Sequence, residues 1–263
     1  MDPKTYPSHP AEQATLVTRV AYGQWHALED DLVVGRGHVQ HRPDGRLFVS
    51  VDAWHDTAFA QLAEAMTAAL PAPLHTVVDE ADTELTALWR RAGFTVLRRE
   101  VEYAVPTDPD VTGLRAVAPP PGVTIVPAGQ ADEGMLREVD RVVRAEVEAT
   151  VGWRSMPAEV VRRTEGDTIV DPALYAVAAT PDAYLGLIRV VRVKRPRIGL
   201  LAVRAGERRR GVGRALLAHA LGVLHRAGTA EAWAEVDDSN AVASALFRGV
   251  GARPVGCTLE LVR

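Results

Sequence analysis

The sequence predicts an α/β protein of mixed α+β character, built as two tandem units, each a twisted mixed sheet flanked by helices. Three observations lead there. Strand-like apolar runs alternate with helix-period stripes along the 263 residues. A proline-rich break divides the chain, with Pro119-Pro120-Pro121 favouring an extended passage. The two sides also repeat each other. At a shift of 158, Val78 meets Val236, Leu88 meets Leu246, Trp89 meets Phe247 and Gly93 meets Gly251. The expected organisation is a shortened first copy over 1–106, a linker over 107–121 and a complete second copy over 122–263.

In the first copy, strands are expected around Leu16–Tyr22 and Asp31–Gln40, with Asp44-Gly45 as a turn and Leu47–Val51 as the next strand. Phe59, Leu62, Met66 and Leu70 form one helical stripe ended by Pro71. His75–Val78 reads as a short strand, Glu84–Ala92 as a helix stopped by Gly93, and Thr95–Val105 as the last strand.

In the second copy, Val123–Pro127 opens as a strand. Two helices are expected between Asp132 and Arg163, meeting near Gly152–Pro157. Strands follow at Leu174–Ala179, Tyr184–Val193 and Ile198–Val203. The helix Val212–Arg226 buries Leu216, Leu217, Ala220, Leu221 and Leu224. Ala232–Val236 is a strand, and Asp238 or Ser239 can cap a helix reaching Val250. Cys257–Val262 closes the chain.

Composition excludes several classes of function. Net charge is −4, which argues against a nucleic-acid binder. Residues 1–106 carry 15 acids and 9 bases, or −6, leaving +2 for 107–263. Cys257 is the one cysteine, so a disulfide framework within the chain is excluded and a reducing, cytoplasmic setting fits. No apolar run is long enough for a bilayer, and the first residues lack the apolar core of a signal peptide. His38 and His41 do not make a metal site alone. Lys4 and Lys194 are the only lysines, and neither position suits a Schiff base.

The repeat breaks at one place. Leu47–Val51 lies over Gly199–Val203 at a shift of 152, so the first copy lacks about six residues between strand and helix. In the second copy those residues belong to RAGERRRGVGRALL (204–217). Arg208, Arg209, Arg210, Gly211, Val212, Gly213 and Arg214 join a strand to a helix N-terminus. Side-chain-free positions let amide N–H groups approach a ligand, the helix end adds partial positive charge, and the arginines supply charged donors. This is the chemistry of a diphosphate cradle, although it is neither a Walker nor a dinucleotide-binding glycine pattern. The first copy has VDAWHDTAF (51–59) there, whose Asp52 and Asp56 would repel a diphosphate.

Arg208-x-x-Gly211-x-Gly213 between strand and helix, followed by AEVDDSNAVASALFRGVGA, resembles the GNAT superfamily of N-acetyltransferases. The resemblance spans about 122–263 and implies tandem acyl-CoA N-acyltransferase-like domains, the first degenerate. It implies acetyl-CoA as cosubstrate, with the backbone of Leu201, Ala202 and Val203 against the pantetheine and Arg208–Arg214 on the diphosphate. Asn240 and Phe247 take the family's following positions, and the resemblance implies that both line the cosubstrate site. Where many members carry a tyrosine that protonates the departing thiolate, this chain has Phe247, which has no proton to give.

Acetyl transfer also needs a proton acceptor. Glu235 shares a strand face with Trp233, while Glu146 and Glu148 lie in the helical region expected to cover the acceptor; they do not share a helix face. Trp153 can form an apolar wall of the acceptor site, Tyr175 and Tyr184 are candidate acids if their strands face the cleft, and Arg204 can reach a phosphate. The function expected is transfer of an acetyl group from acetyl-CoA to a primary amine of a small molecule or peptide. The acidic first copy suggests a cationic acceptor. A non-catalytic acyl-CoA sensor is the alternative, and a purely structural pseudo-dimer is opposed by the intact loop. One chain already supplies a pair of domains, so a monomer is expected.

Overall fold

The computed structural model describes residues 15–42, 45–149 and 170–263. The expected Gly152–Pro157 bend, the second helix toward Arg163, and Asp44 lie outside them. The chain forms two compact units, and each contains a segment from the other half of the chain.

The first unit is built from β1 (Leu16–Ala21), β2 (Gln24–Glu29), β3 (Leu32–His41), β4 (Leu47–Ala53) and β5 (Leu74–Asp79), in that spatial order. The first four form an antiparallel meander. The sequence pattern does not announce β2: QWHALE is half polar, and only Trp25 and Ala27 are buried. Helix α1 (Asp56–Ala69) covers the meander with Phe59, Leu62 and Met66. It sits close because β3 carries Gly35 and Gly37, where a Cβ would meet Leu62 and Met66 at 2.8 and 2.4 Å. Helix α2 (Thr83–Arg91) buries Trp89, which meets Phe59 and Phe94 edge-on.

The last residues of the chain, Glu260–Arg263, also belong to this unit. Leu74 and Arg263 exchange backbone hydrogen bonds at 2.8 and 2.9 Å. Buried Glu260 accepts from Arg46 Nη1 at 2.9 Å and lies 2.8 Å from His75 Nδ1. A buried carboxylate is tolerated only when such partners replace its water.

The second unit contains β6 (Thr95–Pro106) from Arg98 onward, although the sequence places this strand at the end of the first copy. Its remaining elements are α3 (Pro109–Thr112), β7 (Thr124–Val126), α4 (Glu133–Glu148), β8 (Tyr175–Ala179), β9 (Tyr184–Val191), β10 (Arg197–Val203), α5 (Val212–Arg226), β11 (Glu231–Asp237), α6 (Ala241–Arg248) and β12 (Arg253–Val262). The strand order is β12-β6-β11-β10-β9-β8-β7. The expected linker 107–121 lies within this unit and includes α3.

Alternation along the strands gives the sheet two apolar faces. Tyr103, Ala234, Val236 and Ile198 pack with Leu216, Leu217, Leu221 and Phe247 beneath α5 and α6. Tyr175, Val177, Leu187 and Leu200 pack with Leu136, Val139 and Val143 beneath α4. The repeat explains the strand assignment: at the shift of 158, Thr95 of β6 falls on Arg253 of β12, and each copy's final strand contributes to the other unit.

Two outcomes follow from these pairings. β11 bonds to β6 over its whole length, from Glu231 with Pro106 to Asp237 with Glu100. A fragment of residues 107–263 therefore leaves a central strand edge open, and circular dichroism and gel filtration should find it aggregated or unfolded. Cooperative melting of that fragment would contradict the assignment. Glu260→Ala should lower unfolding stability by about 3 kcal/mol, read by urea titration, because it removes the buried carboxylate that Arg46 and His75 share.

Candidate functional site

The site begins where two strands part. β10 and β11 run parallel but pair only at Arg197 with Trp233 and Ile198 with Ala234. Trp233 N–H donates to Pro196 O at 2.8 Å, and beyond Ala234 the strands diverge. Gly199 sits at the register shift between Ile198 and Leu200, a β-bulge that bends β10 away. Arg204 N–H donates to Leu185 O at 2.9 Å. Backbone groups alternate in direction along a strand, so those of Leu201 and Val203 point away from β9 into the gap. Ala202 keeps the β9 side, and Gly186 opposite is tightly fitted, since a Cβ there would lie 2.7 Å from Ala202 O.

The loop leaving the gap is shaped by its own hydrogen bonds. Ala205–Glu207 makes a 3-10 turn. Arg208 Nε donates to Val203 O at 3.2 Å. Glu146, near the end of α4, accepts from Ala205 N–H at 2.8 Å and lies 3.4 Å from Arg208 Nη2. Its geometry is that of a loop anchor. Arg209 has φ 62 and Gly211 φ 88, two left-handed residues that turn the chain into α5. Arg210 pairs with Glu207. Val212 is buried beneath the first turn, and Gly213 faces Val203, where a Cβ would make ordinary contact at 3.5 Å.

The start of α5 differs from every other α-helix start among the described residues. His55, Asp82, Asp108, Asp132 and Asn240 cap α1, α2, α3, α4 and α6 through side-chain oxygens or nitrogen. Gly211 offers no side chain to α5. The first-turn N–H groups of α5 are therefore open to an external acceptor, with Arg208, Arg209, Arg210 and Arg214 exposed around them. In the first unit the equivalent helix end is closed: His55 Nδ1 accepts from Ala58 N–H at 3.2 Å, and Asp56 follows. Yet β4 and β5 repeat the parting, pairing only at Leu47 with Leu74 and Phe48 with His75.

The remaining candidates occupy distinct environments. Asn240 Oδ1 accepts from Ala243 N–H at 3.0 Å, so Asn240, rather than Asp238 or Ser239, caps α6. Phe247 is buried and stacks on Tyr103, with centroids 6.1 Å apart. Tyr103 is itself wholly buried. Glu235 shares the α4-side face with Trp233; Arg197 Nη1 donates to its Oε2 at 3.0 Å. Directly across from it on β6 stands Glu102. Glu148 is exposed on the last turn of α4. Tyr175 is buried, and that burial pushes its hydroxyl pKa up, keeping it a neutral phenol. Tyr184 accepts from Asp132 N–H at 2.9 Å and helps seat α4. Arg99 Nη2 donates to Cys257 Sγ at 3.0 Å. Trp153 lies outside the described residues.

Sequence reasoning misses Arg197 and Glu102 beside Glu235, and it misses the anchoring bonds of Glu146. The one available signal is the isolated Gly199 in an apolar strand, which marks a bulge. Among the described residues, no group of three His, Cys, Asp or Glu side chains is arranged to hold a metal ion. None of the helices described is long and apolar enough to cross a membrane.

A parted β10/β11 pair thus opens onto a glycine-led, uncapped helix, and the first unit repeats the parting without the open helix start. Residues 143–252 match the acetyltransferase (GNAT) family. No curated protein matches the chain. A tandem GNAT protein from the clavulanic acid biosynthesis pathway has a TM-score of 0.64 and 14% identity, covering 91% of this chain and 82% of that one. A GCN5-related N-acetyltransferase from Sphaerobacter thermophilus has a TM-score of 0.61 at 18% identity, covering 94% and 82%. A GCN5-related N-acetyltransferase from Kribbella flavida has a TM-score of 0.54 at 16% identity, covering 95% and 89%. The fold is that of GNAT-superfamily acetyltransferases in tandem, and the match over 143–252 is consistent with acetyl-CoA binding.

Gly211→Val tests the cradle. A β-branched residue is strained at φ 88, yet the site where its Cβ would lie is open, with Pro120 Cγ the nearest atom at 3.9 Å. Calorimetry should find acetyl-CoA affinity reduced at least tenfold while cooperative thermal unfolding persists. Unchanged affinity would remove the loop from the binding site.

Proposed function

We propose that this protein transfers the acetyl group of acetyl-CoA directly to a primary amine of a small molecule or peptide. The observation that carries the proposal is the uncapped start of α5 beside the gap between β10 and β11. Acetyl-CoA supplies an activated thioester and a diphosphate. The arrangement fits both ends: open amide donors and arginines suit the diphosphate, and the backbone of Leu201 suits an extended amide-bearing arm. Unpaired strand edges inside a protein need a hydrogen-bonding partner, and a pantetheine chain offers the same groups as a strand.

In this reading Leu201 and Val203 orient the thioester, while Arg208–Arg214 hold the far end and fix its depth. The amine nitrogen forms a bond to the acetyl carbon as the carbon–sulfur bond breaks, and the sulfur leaves with its electron pair. Glu235 receives the amine proton, directly or through water; Arg197 keeps its carboxylate in place. Water protonates the thiolate, because Phe247 has no exchangeable proton. Glu146 acts by holding the loop. Residues 122–263 would bind the cosubstrate, and the first copy, its helix end already capped, would not.

A second reading has a specific observation in its favour. Phe247 packs in the core against Tyr103, and Glu235 is engaged by Arg197, which also suits a protein that binds acyl-CoA without turning it over. An amine panel incubated with acetyl-CoA, followed by thiol release and mass spectrometry, separates the two. Acetylated product with Glu235→Gln reducing kcat at least tenfold is expected. Tight acetyl-CoA binding with no amine-stimulated release across a broad panel would leave the sensor reading.

A further inference from the structure

Among the described residues, the hairpin joining β9 to β10 is a basic turn of the second unit outside the cradle. Arg192, Val193, Lys194 and Arg195 are exposed at its tip. Among the described residues no carboxylate lies within salt-bridge reach of Arg192, Lys194 or Arg195. Arg195 is nevertheless held in place, because its guanidinium carbon lies 4.9 Å from the ring centroid of Trp233. A guanidinium drawn over an indole face keeps its N–H groups available to a second partner.

Trp233 stands at the root of the gap. It is the residue paired with Arg197, immediately before the last parallel pair, Ile198 with Ala234. Its side chain and that of Glu235 occupy one face of β11, two residues and about 7 Å apart along the strand. That face is opposite the one covered by α5 and α6, which contains Ala232, Ala234 and Val236. A held cation and a carboxylate thus flank the end of the gap farthest from the cradle. Glu102, across from Glu235, adds negative charge at the same end of the pair.

Resting on the transferase reading above, we infer that the acceptor is an aminocarboxylate: Arg195, fixed on Trp233, takes its carboxylate while the amine faces Glu235. A planar guanidinium fork matches a carboxylate with two parallel hydrogen bonds. This narrows the sequence-based expectation of a cationic acceptor. A polyamine would meet Arg195, Arg192 and Lys194 as like charges, with Arg197 beside Glu235 adding to them, whereas a molecule with one charge of each sign offers a partner to both Arg195 and Glu235.

The test compares matched acceptors: amino acids, their methyl esters and their decarboxylated amines, with wild type, Arg195→Gln and Trp233→Leu. Arg195 is exposed, so its replacement leaves the core intact. Free carboxylates should give kcat/KM at least tenfold above the esters. Arg195→Gln should erase that difference by raising KM for the amino acid, with KM for acetyl-CoA unchanged, and Trp233→Leu should give a partial loss. Equal use of esters and acids by the wild type, or a preference that survives Arg195→Gln, would overturn the inference and leave the transferase reading standing. If no compound supports CoA release, calorimetry on the acetyl-CoA-loaded protein decides. Binding of the acids but not the esters, lost in Arg195→Gln, sustains the aminocarboxylate site and defeats the transferase reading. No such binding overturns the site.

Discussion

The second unit depends on how β11 satisfies its backbone. A central strand has two edges of N–H and C=O groups, and each needs a partner. β6 satisfies one edge completely, from Glu231 to Asp237. That continuous ladder holds β11 in the sheet, so its other edge can separate from β10 after only two paired positions. The bulge at Gly199 supplies the bend, and the anchored loop from Arg204 to Gly211 holds it. The gap between β10 and β11 exists because one strand is secured elsewhere.

Comparison of the two copies separates the fold from the binding chemistry. Both contain a parallel pair that meets briefly and then parts. They differ in the passage from the first strand of that pair into its helix. In one, an imidazole closes the helix start; in the other, a glycine leaves it open and arginines surround it. The GNAT architecture thus survives in the first copy without the features that would attract a diphosphate. Charge, capping and loop length account for the difference, with no change of topology required.

Much of this is legible in the sequence for identifiable reasons. α5 can be read because its apolar stripe is long and its loop contains Gly211 and Gly213 in a run of arginines. β10 can be read as a continuous apolar strand, and Gly93 and Gly251 mark helix ends. β2 escapes a pattern-based reading because half its residues face outward. The family resemblance implies a cosubstrate role for Asn240, and only backbone geometry shows its side chain closing the start of α6. The surroundings of Glu235 are hidden for a different reason. Arg197 is a neighbour through strand register, and Glu102 comes from the other copy's closing strand; neither relation leaves a periodic signal.

That closing strand has a historical consequence. Ordinarily a gene duplication frees one copy to decay and vanish. Here the copy without the glycine–arginine loop still provides β6, while the other copy provides the Glu260–Arg263 terminus to the first unit. Mutation can erase binding residues such as the missing loop, but deletion of the first copy would remove part of the second. The exchange makes the duplication irreversible: the first half persists as a structural dependency, whatever remains of its original chemistry.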